Sequence, residues 1–109
     1  MPWPNLPDRA ALGEGVYSWG RIEDALGYQA RWANRGVSTE VMEFSVRNRD
    51  LANFRRLDID SLPDPEAWMT RFSRLWGGVP DHGLDYITRQ TAIGMEHFFG
   101  SSVFSKLRF

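Results

Sequence analysis

The chain has 109 residues, the length of one domain with a single modest core, and its 42% apolar and 25% charged residues are globular values. A net charge of −1 leaves no strong nucleic-acid signal, and zero cysteines exclude a disulfide framework and a thiolate zinc site. No apolar run approaches the roughly 18 residues of a membrane span, and the start Met1–Pro7 (MPWPNLP) is neither basic nor followed by an apolar run, unlike a signal peptide.

Residues 1–12 carry three prolines in their first seven positions and read as an extended lead-in, the abrupt start being that of a cut end. Gly13–Trp19 reads as a strand whose glycines permit close backbone approach. Arg21–Arg35 reads as an amphipathic helix. Ile22, Ala25, Leu26, Gln29, Trp32 and Ala33 share one side, Tyr28 lies at the edge of that stripe, and Gly36 is the stop. Val41–Val46 alternates, with Met42, Phe44 and Val46 facing one way, and predicts a strand. A helical turn follows from Asp50 to Phe54, then a short strand at Leu57–Ile59. Asp64-Pro65-Glu66 is a helix start, with Asp as cap and Pro in the first turn. Trp68, Met69, Phe72, Leu75 and Trp76 make the apolar face of that helix, and Gly77-Gly78 ends it. Val79–Gly83 is a loop, Leu84–Thr91 and Glu96–Phe99 are strands, and Val103–Phe109 is a final strand or short helix. The expected architecture is α+β, a small split, mostly antiparallel sheet with two main helices in one domain, 1–109.

Tyr17 and Tyr28 stand with ten residues between them across a strand–turn–helix junction, a spacing that can bring two rings to one side of a cleft. A flat aromatic cation there would gain stacking and cation–π energy. The simpler role for the pair is packing strand onto helix. Ser18 and Trp19 either shape such a pocket or serve the turn. Glu96 opens a run of large apolar residues, where a carboxylate is costly to bury without a partner. It is an edge group, a partner of Arg89, or a functional acid, with Glu43 in the expected Val41–Val46 strand as its competitor. His82 and His97, the only histidines, would suit acid–base cleavage of RNA if they met. Asp81 and Asp85 flank His82, but no metal-ligand spacing appears. Gly13-Glu-Gly15 does not extend to a dinucleotide fingerprint because position 18 is serine. Arg47, Arg49, Arg55 and Arg56 form either a solvated face or a contact surface for an acidic partner.

The glycine-led strand with Tyr17, the ten-residue gap and Tyr28 resembles the central motif of the diphtheria-toxin and poly-ADP-ribose-polymerase branch of ADP-ribosyltransferases. Ser73–Gly83 (SRLWGGVPDHG), Glu96–Phe99 and Val103–Phe109 resemble C-terminal toxin domains of bacterial Rhs-type polymorphic toxins. The resemblance implies an ADP-ribosyltransferase-like fold and NAD as co-substrate, its nicotinamide held by Tyr17 and Tyr28 with Ser18 beside them. It implies Glu96 as the carboxylate that binds the ribose hydroxyl and steadies the oxocarbenium-like transition state. The family has a basic residue on a first strand that holds the ribose; here no histidine precedes Tyr17, and either Arg9 is its counterpart, or a later residue serves, or that first strand is missing from this sequence. Implied too are secretion as an effector, action in the target-cell cytoplasm on a macromolecule such as elongation factor Tu in a rival bacterium, and a cognate immunity protein. The alternatives are a metal-independent ribonuclease using His82 and His97, and a noncatalytic binding or immunity-type module.

Overall fold

The structure is a computed structural model, and it describes residues 11–109, so most of the expected lead-in lies outside the described residues. Its strands are β1 (Gly15–Trp19), β2 (Ser45–Val46), β3 (Arg56–Asp58), β4 (Tyr86–Gln90), β5 (Met95–Gly100) and β6 (Leu107–Arg108); its α-helices are α1 (Ile22–Ala33), α2 (Asn48–Asn53) and α3 (Pro65–Phe72). A four-stranded sheet runs in the order β1-β5-β4-β3, and β2 pairs with β6 in a separate two-stranded sheet. Among the described residues three of the four strand pairings are antiparallel, and only β3 with β4 is parallel. A parallel pair needs a long crossover, and α3 with its flanking 3₁₀ turns supplies it. The domain is thus α+β with a mostly antiparallel sheet, and α1 and α3 are its longest described helices.

Alternation along the strands gives the main sheet two apolar faces. On one, Ile87 and Phe98 bury with Ala11, Leu12 and Ile59, against Tyr17, Leu57, Trp68, Met69 and Leu84. On the other, Phe99 packs with Phe54, Val103 and Leu107, against Val16, Phe44, Val46, Leu51 and Tyr86. Burying both faces explains why the consecutive residues Phe98 and Phe99 of β5 are both apolar. β5 also pairs on both sides, so β1 must approach it closely. Any side chain at Gly15 would collide with the Phe99 carbonyl and the Phe98 ring. The local helix signals hold: the Asp64 carboxylate accepts from the Ala67 N–H at 3.1 Å, and Pro65 stands in the first turn of α3.

Three sequence expectations are corrected. Val41–Val46 is not a strand along its length. Only Ser45 and Val46 find a partner, the equally short β6, and Met42 is 64% exposed. Its alternation is real, but among the described residues no strand pairs with Val41–Phe44 to accept its hydrogen bonds. The helix after Asp64 ends at Phe72, not at Gly77. A 3₁₀ turn, Arg74–Trp76, follows it and leaves Leu75 and Trp76 exposed. The packed side of α1 is rotated from the expected one, with Ile22 and Leu26 exposed and Ala25, Tyr28, Gln29 and Trp32 turned inward. Those four obey the same i, i+3, i+4, i+7 rule, but the aromatic rings decide which stripe docks. The start of α1 rests on the β4–β5 turn, where a side chain at Gly94 would meet the Asp24 carboxylate.

Candidate functional site

β1 and β5 together build the site. Their register sets Tyr17 opposite Phe98 and Trp19 opposite Glu96, while β4 sets Arg89 on the other side of Glu96. Antiparallel partners share a face, so Tyr17, Trp19, Glu96 and Arg89 lie on one face, near the edge that α1 covers. Tyr28 reaches down from α1 onto Trp19, ring centroids 5.3 Å apart and planes tilted 43°. Trp32, one turn further on, meets Tyr28 edge-on at 6.1 Å. The motif therefore brings Tyr28 to Trp19 and not into a facing pair with Tyr17.

Tyr17 is half-buried and doubly held. Its ring packs on Phe98 at 4.9 Å. Its hydroxyl accepts from the Leu12 N–H at 2.9 Å and donates to the Gly13 carbonyl at 2.6 Å. Burial pushes that hydroxyl well above the ordinary tyrosine value, so it is a permanent donor. Around it, Ala11–Gly13 is pinned from several sides: the Arg74 N–H donates to the Ala11 carbonyl, and His82 Nε2 donates to the Leu12 carbonyl at 2.7 Å. The Leu84 N–H points at His82 Nδ1 (3.0 Å), which must accept and so fixes the ring's proton on Nε2.

Glu96 is only 6% exposed. It takes a hydrogen bond from Arg89 Nε at 2.7 Å, and both side chains are largely out of solvent. The sequence left this carboxylate as an edge group, an Arg89 partner or a functional acid, and the register makes the second true whatever else it does. Its competitor Glu43 sits exposed in the loop before β2, outside any strand.

Ser18 is corrected. Strand alternation turns it to the opposite face from Tyr17 and Trp19, where its hydroxyl donates to the His97 carbonyl at 2.8 Å. It cannot line a pocket with the two tyrosines. Arg9 lies outside the described residues. His82 packs against Phe98 on the Tyr17 face, whereas His97, next along β5, is on the other. There its Nδ1 lies 2.8 Å from the Tyr86 hydroxyl, and burial lowers its affinity for a proton. The sheet thus separates the two histidines.

Compared with protein-family models, curated proteins and solved structures, the chain gives no significant match. Among the described residues no group of three or more His, Asp or Glu side chains could hold a metal ion. No described helix is long and apolar enough to cross a membrane.

The arginine cluster of the sequence divides in two. Arg55 clamps Asp85, with Nε and Nη2 3.2 and 3.0 Å from its two carboxylate oxygens. The Arg55 N–H and the Ser102 hydroxyl complete four bonds to that carboxylate. The Arg55 guanidinium is the main reason that Asp85 titrates below the usual carboxylate range. Arg56 donates to the Leu51 carbonyl at 2.9 Å and lies over the Tyr86 ring. Arg47 and Arg49 lie elsewhere, in a groove with Lys106 and Arg108. The Asp85 clamp was missed by sequence reasoning: it ties β3 to β4 and to the turn after β5, and no local pattern marks a contact of that range.

Proposed function

We propose that this domain is an NAD-dependent mono-ADP-ribosyltransferase of the interbacterial toxin kind, with an ADP-ribosyltransferase-like fold. One observation carries the reading. The β1–β5 pairing brings Glu96 from near the C-terminal end of the chain directly opposite Trp19, on the face that Tyr28 covers. A carboxylate beside an aromatic wall is what cleavage of a nicotinamide–ribose bond needs: a flat surface for the leaving ring and a fixed negative charge for the developing oxocarbenium.

In this reading Glu96 serves the ribose, and Arg89 is the residue that positions its carboxylate. The nicotinamide stacks on the half-buried Trp19–Tyr28 pair, not between its rings. At 5.3 Å between centroids those rings leave no room for a third, which needs two contact distances of about 3.5 Å. Tyr17 lies on the same face of β1, its ring held on Phe98. The C–N bond to nicotinamide breaks, its electrons leave with the nicotinamide, and ribose C1′ bonds an acceptor nucleophile whose proton passes to solvent. The acceptor belongs to a macromolecule of a rival bacterium, such as a translation factor, after delivery of the domain into that cell's cytoplasm. A cognate immunity protein guards the producer.

The test is incubation of the folded protein with labelled NAD and a bacterial extract. Label should pass to a macromolecule, and Glu96→Gln should abolish that transfer while the fold persists. Neither transfer nor release of nicotinamide by folded wild-type protein would sink the proposal. The reading favoured then is a noncatalytic binding module, because the Tyr17 clamp and the Arg89–Glu96 pair already give those side chains structural work. Separation of His82 from His97 by the sheet removes the shared site a two-histidine ribonuclease requires.

A further inference from the structure

On the far side of the main sheet, the β2–β6 ribbon, α2 and the 3₁₀ turn Ser101–Lys106 enclose a shallow concavity of about 260 Å³. Arg47, Arg49, Lys106 and Arg108 line it with Ser105 and a single acid, Asp50. All four cations are exposed, and none forms a salt bridge among the described residues. Asp50 is the one acid that lines the groove with them. These residues with Asp50 carry a net +3, and the whole chain is −1, so the remainder carries −4.

The platform under the cations is fixed. Arg108 pairs with Ser45 across the ribbon, and their neighbours Val46 and Leu107 pack with Phe54, Phe99 and Val103. Groups from two distant stretches of chain are thereby held together. Beside them in the chain stand Phe104 and Phe109, 55% and 59% exposed, with ring centroids 5.7 Å apart.

We propose that this groove is a docking surface for an acidic protein segment. Three guanidinium forks and an ammonium suit carboxylates in bidentate geometry. Arginine and aromatic residues are enriched at protein interfaces, where exposed rings serve as apolar anchors. A long nucleic acid fits worse: its phosphates extend beyond one concavity and would run over a remainder that carries −4. A flat bilayer surface cannot enter a hollow. The surface lies on the opposite side of the sheet from Glu96, and its function stands whether or not the domain transfers ADP-ribose.

The experiment measures binding of a fluorescein-labelled oligoglutamate peptide by anisotropy. Oligothymidylate and phosphatidylserine vesicles are the competing probes. Wild-type protein should bind the peptide in preference to both, and should release it as ionic strength rises from about 0.05 M to about 0.3 M. Arg49→Glu with Lys106→Glu should weaken binding about tenfold or more. The same charge change made elsewhere, at the exposed Arg31 and Arg74, should weaken it far less. If the first pair unfolds the protein, Arg47→Glu with Arg108→Glu replaces it, with melting curves as the check. No peptide binding, equal loss in the control, or a preference for oligothymidylate or vesicles overturns the proposal.

Discussion

Removing the Glu96 carboxylate separates structure from catalysis, because alanine and glutamine differ in what they leave behind. Glu96 and Arg89 are both largely buried and meet at 2.7 Å. Glu96→Ala strands a guanidinium that retains little solvent, and breaking a buried pair on one side costs about 3–5 kcal/mol. A domain of this size has a total stability of about 5–15 kcal/mol, so the alanine variant loses a large share of it and at the lower end fails to fold. Glu96→Gln keeps the shape and an oxygen that accepts from Arg89 Nε, and loses only the charge. The ion pair then becomes a hydrogen bond from a cationic guanidinium to a neutral amide oxygen, a loss of about 1–2 kcal/mol, or about 5–10 °C in Tm. Urea titration and thermal melts of both variants measure the stabilities, and NAD turnover is read on the glutamine variant alone. If Glu96→Ala melts within about 0.5 kcal/mol of wild type, the pair does not hold this end of the sheet. If folded Glu96→Gln transfers at the wild-type rate, the carboxylate has no catalytic part.

Other side chains give independent checks. Tyr17→Phe keeps the ring on Phe98 and deletes the hydroxyl between Leu12 and Gly13; leaving the Leu12 N–H without its partner should cost about 1–3 kcal/mol in urea unfolding. Asp85→Ala removes the acceptor for Arg55 and Ser102; it should lower stability in urea unfolding, chiefly by leaving the Arg55 backbone N–H and the Ser102 hydroxyl without their acceptor, since the Arg55 guanidinium stays in solvent. Burial depresses the folded-state pKa of His97, so the unfolded chain takes up its proton first; stability is full above about pH 6.5 and falls as the pH drops from there through the folded value. His97→Phe should flatten that part of the stability–pH curve, and an unchanged curve would show that His97 does not cause it.

What the sequence conveyed was whatever depends on near neighbours. Asp64 capping with Pro65 in the first turn marks α3 within a few residues, and the glycine-led strand before α1 is equally local. The failures depend on where the fold places each residue's neighbours. Val41–Val46 has the alternation of a strand, but a strand also needs an edge to pair with, and β6 offers two residues. Tyr28 looks like a stripe-edge residue until Trp19 and Trp32 are placed around it. Ser18 stands next to Tyr17 in sequence, and that adjacency is what puts it on the other face. Arg89 was legible as a partner for Glu96, because a hairpin between two predicted strands tends to bring such residues opposite one another. Asp85 was not, since its acceptors answer to Arg55 and Ser102, thirty and seventeen positions away.

The central place of β5 governs which variants can tell the two proposed surfaces apart. Its alternate residues serve opposite faces: Glu96 and Phe98 support the Trp19–Tyr28 side, while Phe99 underlies the ribbon that carries the cationic groove. Substitution of Phe98 or Phe99 removes a large buried ring that costs about 3–5 kcal/mol and disturbs both faces through one strand. Loss of NAD turnover or of peptide binding in such a variant therefore says nothing about either site. Discriminating changes must come from elements that touch one face only. Tyr28 on α1 reaches the sheet through Trp19, and Lys106 and Arg49 project from the groove into solvent. Tyr28→Ala should weaken NAD handling and leave peptide binding intact, whereas Arg49→Glu with Lys106→Glu should do the reverse. A variant of either kind that impaired both readouts in a folded protein would mean that the sheet couples the two faces, and each site would then need to be assigned anew.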